Sequence, residues 1–195
     1  MSENLNGRMA ALTDGVVAIA MTLLMLDIRL PEAIAHGPVS WPQLLAVREQ
    51  VAAYAMSFLV VGLFWLIHVQ RFRNLVRPSS RLFWLNLAFL LVIGLVPFTT
   101  SLLASSGGAT AVQLYAGVMA LASLLLGVMG LHVQTAGLDR EDGGKGALTV
   151  ASLRAFTTTG VFLLSIAVSL WNVEAARWSW ILLAVVAGAG HRRRA

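Results

Sequence analysis

The sequence predicts an all-α integral membrane protein, and three observations carry that prediction. Of 195 residues, 58% are hydrophobic and only 12% are charged, and the mean hydropathy is +0.79. A soluble globular chain is about 45–50% apolar and about 25% charged, so too little polar surface is left here to face water. The apolar residues also come in long runs. Crossing a hydrocarbon core about 30 Å thick takes roughly 20 mostly apolar helical residues. Together these features exclude a soluble enzyme and a secreted domain. The absence of cysteine excludes a disulfide scaffold, thiol catalysis and thiolate-built zinc or iron–sulfur sites.

Six spans fit one membrane domain over residues 1–195. The first, 9–30, is interrupted by Asp14 and, near its end, by Asp27 and Arg29. The second, 51–70, has no charged side chain except a protonated form of His68. From Leu82 to Leu138 there is no Asp, Glu, Lys or Arg. Ser105, Ser106, Gly107 and Gly108 divide that stretch, because paired glycines punctuate helices, into spans at 82–104 and 111–133. The fifth is 155–173, and the sixth, 175–190, is short and ends in His191 and three arginines. Residues 1–7 read as a polar tail and 134–146 as a loop; no internal repeat is found.

With six spans both termini share one side. That side carries Arg8, Arg71, Arg73, Arg77, Arg81, Arg140, Lys145, Arg154 and Arg192 to Arg194, eleven of the fourteen basic residues. The excess of Lys and Arg makes it cytoplasmic, in the plasma membrane. Trp41, Trp171, Trp178 and Trp180 lie near the outer turns as an interfacial belt. The net charge of +5 is therefore read as lipid-head-group anchoring rather than nucleic-acid binding. Asp14 inside the first span argues against a cleaved signal peptide.

An ionisable residue within a span costs at least about 2.5–3.5 kcal/mol, which makes it a candidate functional residue. At about 100° per residue, with Ile19 at zero, Thr22, Leu23 and Leu26 fall within about 60° of it, while Asp14 falls at about −140°. Asp14 is thus expected to face neighbouring helices. Arg8 and Asp14 are too far apart in sequence to pair on one helical face, so each needs another helix. In the second span Tyr54, Ser57, Phe58, Val61, Trp65 and His68 form one polar-aromatic stripe. His68, Asn86 and Asp14 share a depth, which predicts a buried network of Asp14, His68, Trp65 and Asn86. Such a network either staples helices together or acts as a proton relay or gating switch through His68. His132 reads as a snorkelling interfacial residue. No metal-ligand spacing, nucleophile elbow or phosphate-cradling loop is present, so neither an enzyme nor a cofactor is expected.

The first helix, with Arg8, Leu12, Thr13 and Asp14 ahead of the apolar run containing Ile19, Thr22, Leu23, Leu26 and Ile28, resembles the opening helix of the transmembrane protein 175 family and its Arg-x-x-x-Phe-Ser-Asp motif. The resemblance continues through Ser57, Phe58, Phe64, Trp65, His68, Leu85, Asn86, Leu87, Pro97 and Phe98. Leu12 replaces the motif's Phe, and Thr13 replaces its Ser while keeping the hydroxyl. The resemblance implies a potassium channel in which four chains gather their first helices around a central pore. It implies a narrowest ring at Ile19, with Thr22, Leu23 and Leu26 lining the path outward. Arg8 and Thr13 are counted with Asp14, Trp65, His68 and Asn86 in the expected structural polar network. Helix one is apolar nearly all round, and on periodicity alone Leu24 and Ile28 fit a lumen equally well.

A ring of isoleucines offers no ligand and gates by dewetting. No T-V-G-Y-G loop is present, so potassium would pass largely hydrated, ahead of other monovalent cations, with weak selectivity. Asp27 near the outer mouth is a candidate acidic ring, with Arg29 two residues away to oppose it. No row of arginines at every third position suggests voltage sensing, which leaves a leak-type homotetrameric channel. The alternative is a proton-coupled secondary transporter or exporter, for which Pro97 supplies one helix break but no matching second break or repeat is seen.

Overall fold

The computed structural model describes residues 2–29, 40–73, 75–77, 79–139 and 144–180. Helix α1 (Ser2–Leu23) continues into a 3-10 turn at Leu24–Asp27. There follow α2 (Trp41–Ala46), α3 (Arg48–Arg73), α4 (Ser80–Gly94), α5 (Val96–Ser106), α6 (Ala109–Thr135), α7 (Gly144–Ser169) and α8 (Val173–Trp178). Among the described residues, five stretches are long and apolar enough to cross a membrane: Asn6–Leu26, Arg48–Arg73, Ser80–Ser106, Ala109–Thr135 and Val150–Ser169. Most of the expected sixth span, from residue 181 onward, lies outside the described residues.

The boundaries differ from the expected ones for local reasons. Helix α1 begins within the supposed polar tail, because Ser2–Gly7 holds no proline and continues the turn that Arg8 and Met9 start. The third span is two helices, interrupted at Leu95 with Pro97 in the first turn of α5. Proline lacks the N–H that would bond back four residues, so the ladder breaks there. Helix α7 starts earlier than the fifth expected span and ends earlier, at Ser169.

Helix α6 is the central element, packed against α7, α4, α5 and α3. Two glycines let α7 approach it closely: a Cβ added at Gly127 would lie 2.7 Å from the Phe156 ring. Ser123 shares a 2.7 Å hydrogen bond with Thr159 one turn away on the same seam. Helix α1 packs on α4 and α3 through Met9, Thr13, Val17, Ala20 and Leu24. Trp180 does not join the interfacial belt with Trp41, Trp171 and Trp178, which are exposed; it is buried against Tyr115 and Phe162 and donates Nε1–H to Ser165 Oγ at 2.9 Å.

The paired glycines separate α5 from α6 by a left-handed residue, Gly107, at φ 58°. The Gly107 carbonyl accepts from Arg177 Nη2 at 2.5 Å, tying this turn to α8. Gly107→Ala is expected to lower stability by about 1–2 kcal/mol, since a left-handed side-chain residue is strained. Its Cβ would also sit 2.8 Å from Arg177 Nη2. Thermal unfolding against Gly108→Ala, where the nearest atom to an added Cβ is 4.0 Å away, checks this. Equal losses at the two positions would show that the left-handed turn does not matter.

Candidate functional site

The outward face of α1 is the first part of the site. Ile19 is 60% exposed in the single chain, Leu23 43% and Leu26 66%, whereas Leu24 is 2% exposed. The packed residues Met9, Thr13, Val17, Ala20 and Leu24 recur every three or four positions and define one stripe. A second stripe carries Arg8, Leu12, Gly15, Ile19, Thr22, Leu23 and Leu26, all exposed. Packing thus removes Leu24 from the lumen candidates that periodicity left open. Thr22 Oγ donates to the Ile19 carbonyl at 2.8 Å, which fixes the hydroxyl while leaving oxygen lone pairs directed away from the helix. The side chain of Asp27 lies outside the described residues.

The expected single network is in fact two. Asn86 on α4 is buried and accepts at Oδ1 from His68 Nε2 at 2.8 Å. Asn86 Nδ2 donates to Thr13 Oγ at 3.1 Å, and Thr13 Oγ lies 3.0 Å from the Met9 carbonyl. His68, 1% exposed, is stacked between Phe72 at 4.1 Å and Phe89 at 5.8 Å. Asp14 is not part of this cluster. It is exposed, and its carboxylate accepts from Trp65 Nε1 at 2.7 Å. The reason lies in the helix itself: the buried stripe is centred about 120° from Ile19 rather than opposite it. Thr13 therefore faces the bundle and its neighbour Asp14 falls on the flank. Arg8 is exposed on the Ile19 stripe, and no hydrogen bond or ion pair of its side chain is found among the described residues. It does not join the network within one chain.

The α3 stripe divides in the same way. Ser57, Val61 and His68 point into the bundle, Trp65 is half-buried, and Phe58 is exposed beside Tyr54. Sequence reasoning missed a second buried polar cluster, in which Ser57 Oγ shares hydrogen bonds with Thr100 Oγ at 2.9 Å and the Tyr115 hydroxyl at 3.1 Å. It also missed Arg71, read as a surface cation but 1% exposed. Tyr115 and Thr100 carry no periodic signal that separates them from ordinary core residues. His132 shares a 3.1 Å hydrogen bond with Ser79 and is half-buried at the end of α6.

The family model described as the endosomal/lysosomal potassium channel TMEM175 matches residues 8–97, the segment that holds both polar clusters' α1, α3 and α4 members. A potassium channel of Streptomyces collinus is 46% identical over 101 residues, covering 52% of this chain and 48% of that relative. The match thus spans about half the length of that relative. A potassium channel of Chamaesiphon minutus is 32% identical over 137 residues, 67% of this chain and 66% of the relative. The crystal structure of a lysosomal potassium-selective channel TMEM175 homolog from Chamaesiphon minutus matches with a TM-score of 0.81 at 25% identity, covering 94% of this chain and 97% of that one.

Proposed function

The chain belongs to the TMEM175 family, and from that premise we propose that it is a potassium-permeable, weakly selective, leak-type cation channel. The proposal takes four copies to surround one axis, each presenting the outward stripe of α1. The observation that carries it is the exposure of Ile19, Thr22, Leu23 and Leu26 on a helix whose other stripe is packed into its own chain. A stripe of that kind in a membrane protein either meets lipid, meets other copies, or lines a lumen. The Thr22 hydroxyl and the cationic Arg8 on the same stripe fit a watery path better than a lipid face, because polar groups in hydrocarbon are costly.

On this reading Ile19 forms the constriction. Four branched aliphatic side chains offer no hydrogen bond to water, so a narrow ring empties and closes; widening it readmits water and ions. Potassium passes with much of its hydration, assisted by the Thr22 oxygens, while sodium holds its water more tightly and is disfavoured. Selectivity is weak because no carbonyl cage replaces the hydration shell. Asp27 is proposed as an outer acidic ring that concentrates cations, an effect that salt screens. The two polar clusters act as staples. Asp14 bonds to Trp65 and His68 to Asn86, which ties α1 to α3 and α3 to α4.

The topology that accompanies this reading is a multi-pass protein of the plasma membrane with both termini cytoplasmic and six spans per chain. Permeant ions are the only small partners needed, and no catalytic step is required. The transporter alternative is not favoured, because among the described residues the break between α4 and α5 has no counterpart in α6 or α7.

Reversal potentials of the purified protein in planar bilayers under opposed potassium and sodium gradients test the channel reading. The expected result is a passive current reversing on the potassium side of zero, without dependence on a proton gradient. Saturable uphill movement driven by protons would instead establish a transporter.

A further inference from the structure

The first turns of α3, the end of α5 and the short helix α8 border a cavity of about 700 Å³ that the channel reading leaves unused. Its floor is apolar, built from Ala52 and Met56 of α3, Leu103 of α5 and Trp180 just after α8. Its rim is charged and carries Arg48, Glu49, Glu174 and Arg177. Arg48 lies 4.0 Å from Glu49, and Arg177 lies 3.3 Å from Glu174. The side chains of Arg48, Glu49 and Glu174 are 69% to 73% exposed. Ion pairs so open to solvent gain little from each other, which leaves their charges free to take a second partner. Another cavity, of about 510 Å³, adjoins the first along α3, and the two share Met56 and Trp180. This second cavity is lined by apolar side chains such as Leu59, Leu63 and Leu66, with Met21 of α1.

Charge at one end and an apolar continuation at the other match an amphiphile lying along α3. At 1.5 Å per residue, Arg48 to Met56 covers about 12 Å and Met56 to Leu66 about 15 Å. The second distance is half of a hydrocarbon core about 30 Å thick, the depth of one leaflet. The charged rim then sits level with the head groups, where the exposed Trp178 beside it also belongs. Two guanidinium groups and two carboxylates at one mouth complement a head group that carries both a phosphate and an ammonium. We propose that the adjoining cavities bind one phospholipid with a zwitterionic, primary-amine head group. Its phosphate faces Arg48 and Arg177, its ammonium faces Glu49 and Glu174, and one acyl chain runs from Met56 to Leu66. Residues 181–190, which follow Trp180, hold no charged side chain to answer the rim. A second copy fits less well, because Met21 falls about 160° from Ile19 around α1. With the Ile19 stripe on a shared axis, the groove faces outward to the bilayer; that orientation rests on the channel reading. Lipid retention is measured without any current, so the two readings fail separately.

The test is native mass spectrometry of the purified chain in detergent, titrated with phosphatidylethanolamine or with phosphatidylglycerol of the same acyl chains. Saturable retention of a single phosphatidylethanolamine per chain is expected. Phosphatidylglycerol should bind about tenfold more weakly, because its uncharged glycerol gives the two carboxylates no cation. Arg48→Gln removes a charge-assisted bond to the phosphate and is expected to weaken phosphatidylethanolamine binding about tenfold. Ala52→Trp, at an exposed position on the cavity floor, should abolish binding by filling the space. It should leave the unfolding midpoint measured without added lipid unchanged. Equal retention of the two lipids, or a preference for phosphatidylglycerol, would overturn the inference, as would binding that neither substitution alters. A parent chain that retains no lipid would overturn it too. If Ala52→Trp then also lowers the midpoint or the assembled fraction on size exclusion, the groove belongs to residues 181–190 or to a second copy.

Discussion

Ile19→Asn is expected to raise the potassium current of the reconstituted protein about tenfold or more and to bring the potassium and sodium permeabilities together. Lowering a barrier by about 1.4 kcal/mol speeds passage tenfold. Four amides at one ring each offer water a hydrogen bond with a net worth of about 1 kcal/mol, so the ring stays wet at a width that isoleucine would empty. Selectivity falls because a wetted ring strips less water from either ion. The side chain is 60% exposed in the single chain, so the substitution makes no demand on the protomer core. Leu24→Asn is the informative control: only five positions along the chain, it is 2% exposed and packs inside the protomer. It should lower the yield of folded protein without widening the path. Single-channel recording in planar bilayers separates the two. An Ile19→Asn current equal to that of the parent chain would move the constriction to another ring, and Leu23→Asn and Leu26→Asn then identify it.

Much of this arrangement was legible in the amino-acid order, and what was not has physical causes. Long uncharged runs define spans because hydrocarbon penalises every charge, and the Gly107–Gly108 pair marks a helix end because glycine accepts the left-handed conformation. The face of α1 was different. Apolar residues surround the helix, so periodicity could not separate Leu23 from Leu24; contact with α3 and α4 does. Depth also proved a poor guide to partnership. Thr13 and Asp14 are neighbours in sequence but about 100° apart around the axis, enough to send one to Asn86 and the other to Trp65. Arg71 was hidden for another reason. A basic residue at the end of a span ordinarily snorkels to the interface, whereas here Gly130 on α6, far along the chain, makes room for it inside. Gly127 and Gly130 at three-residue spacing were the available hint, readable only with knowledge of what packs against them.

Asn86→Ala carries the second large effect, on stability rather than on permeation. The Asn86 side chain is the shared partner of His68 and Thr13, and it lies on a third helix relative to both. Removing it leaves the His68 N–H unpartnered between two phenylalanine rings, where water cannot replace the lost acceptor. Thr13 loses less, because its hydroxyl keeps the Met9 carbonyl 3.0 Å away. An unsatisfied buried group costs about 1–3 kcal/mol, while polar pairs between membrane helices average about 0.6 kcal/mol in measured cycles. With the small cavity left by truncation, a loss of about 2–4 kcal/mol is expected. The assembled fraction on size exclusion and the unfolding midpoint should both fall, while unitary conductance of the channels that remain stays unchanged. Asp14→Asn should do less, because the neutral amide still offers Trp65 Nε1 an acceptor at an exposed position. His68→Ala distinguishes a staple from a switch. If the cluster only holds α1, α3 and α4 together, the current of folded His68→Ala channels follows the same pH profile as the parent chain. A shifted profile in protein of normal stability would make His68 part of the gate, and the network would then have to reach the Ile19 ring through Thr13 and the body of α1.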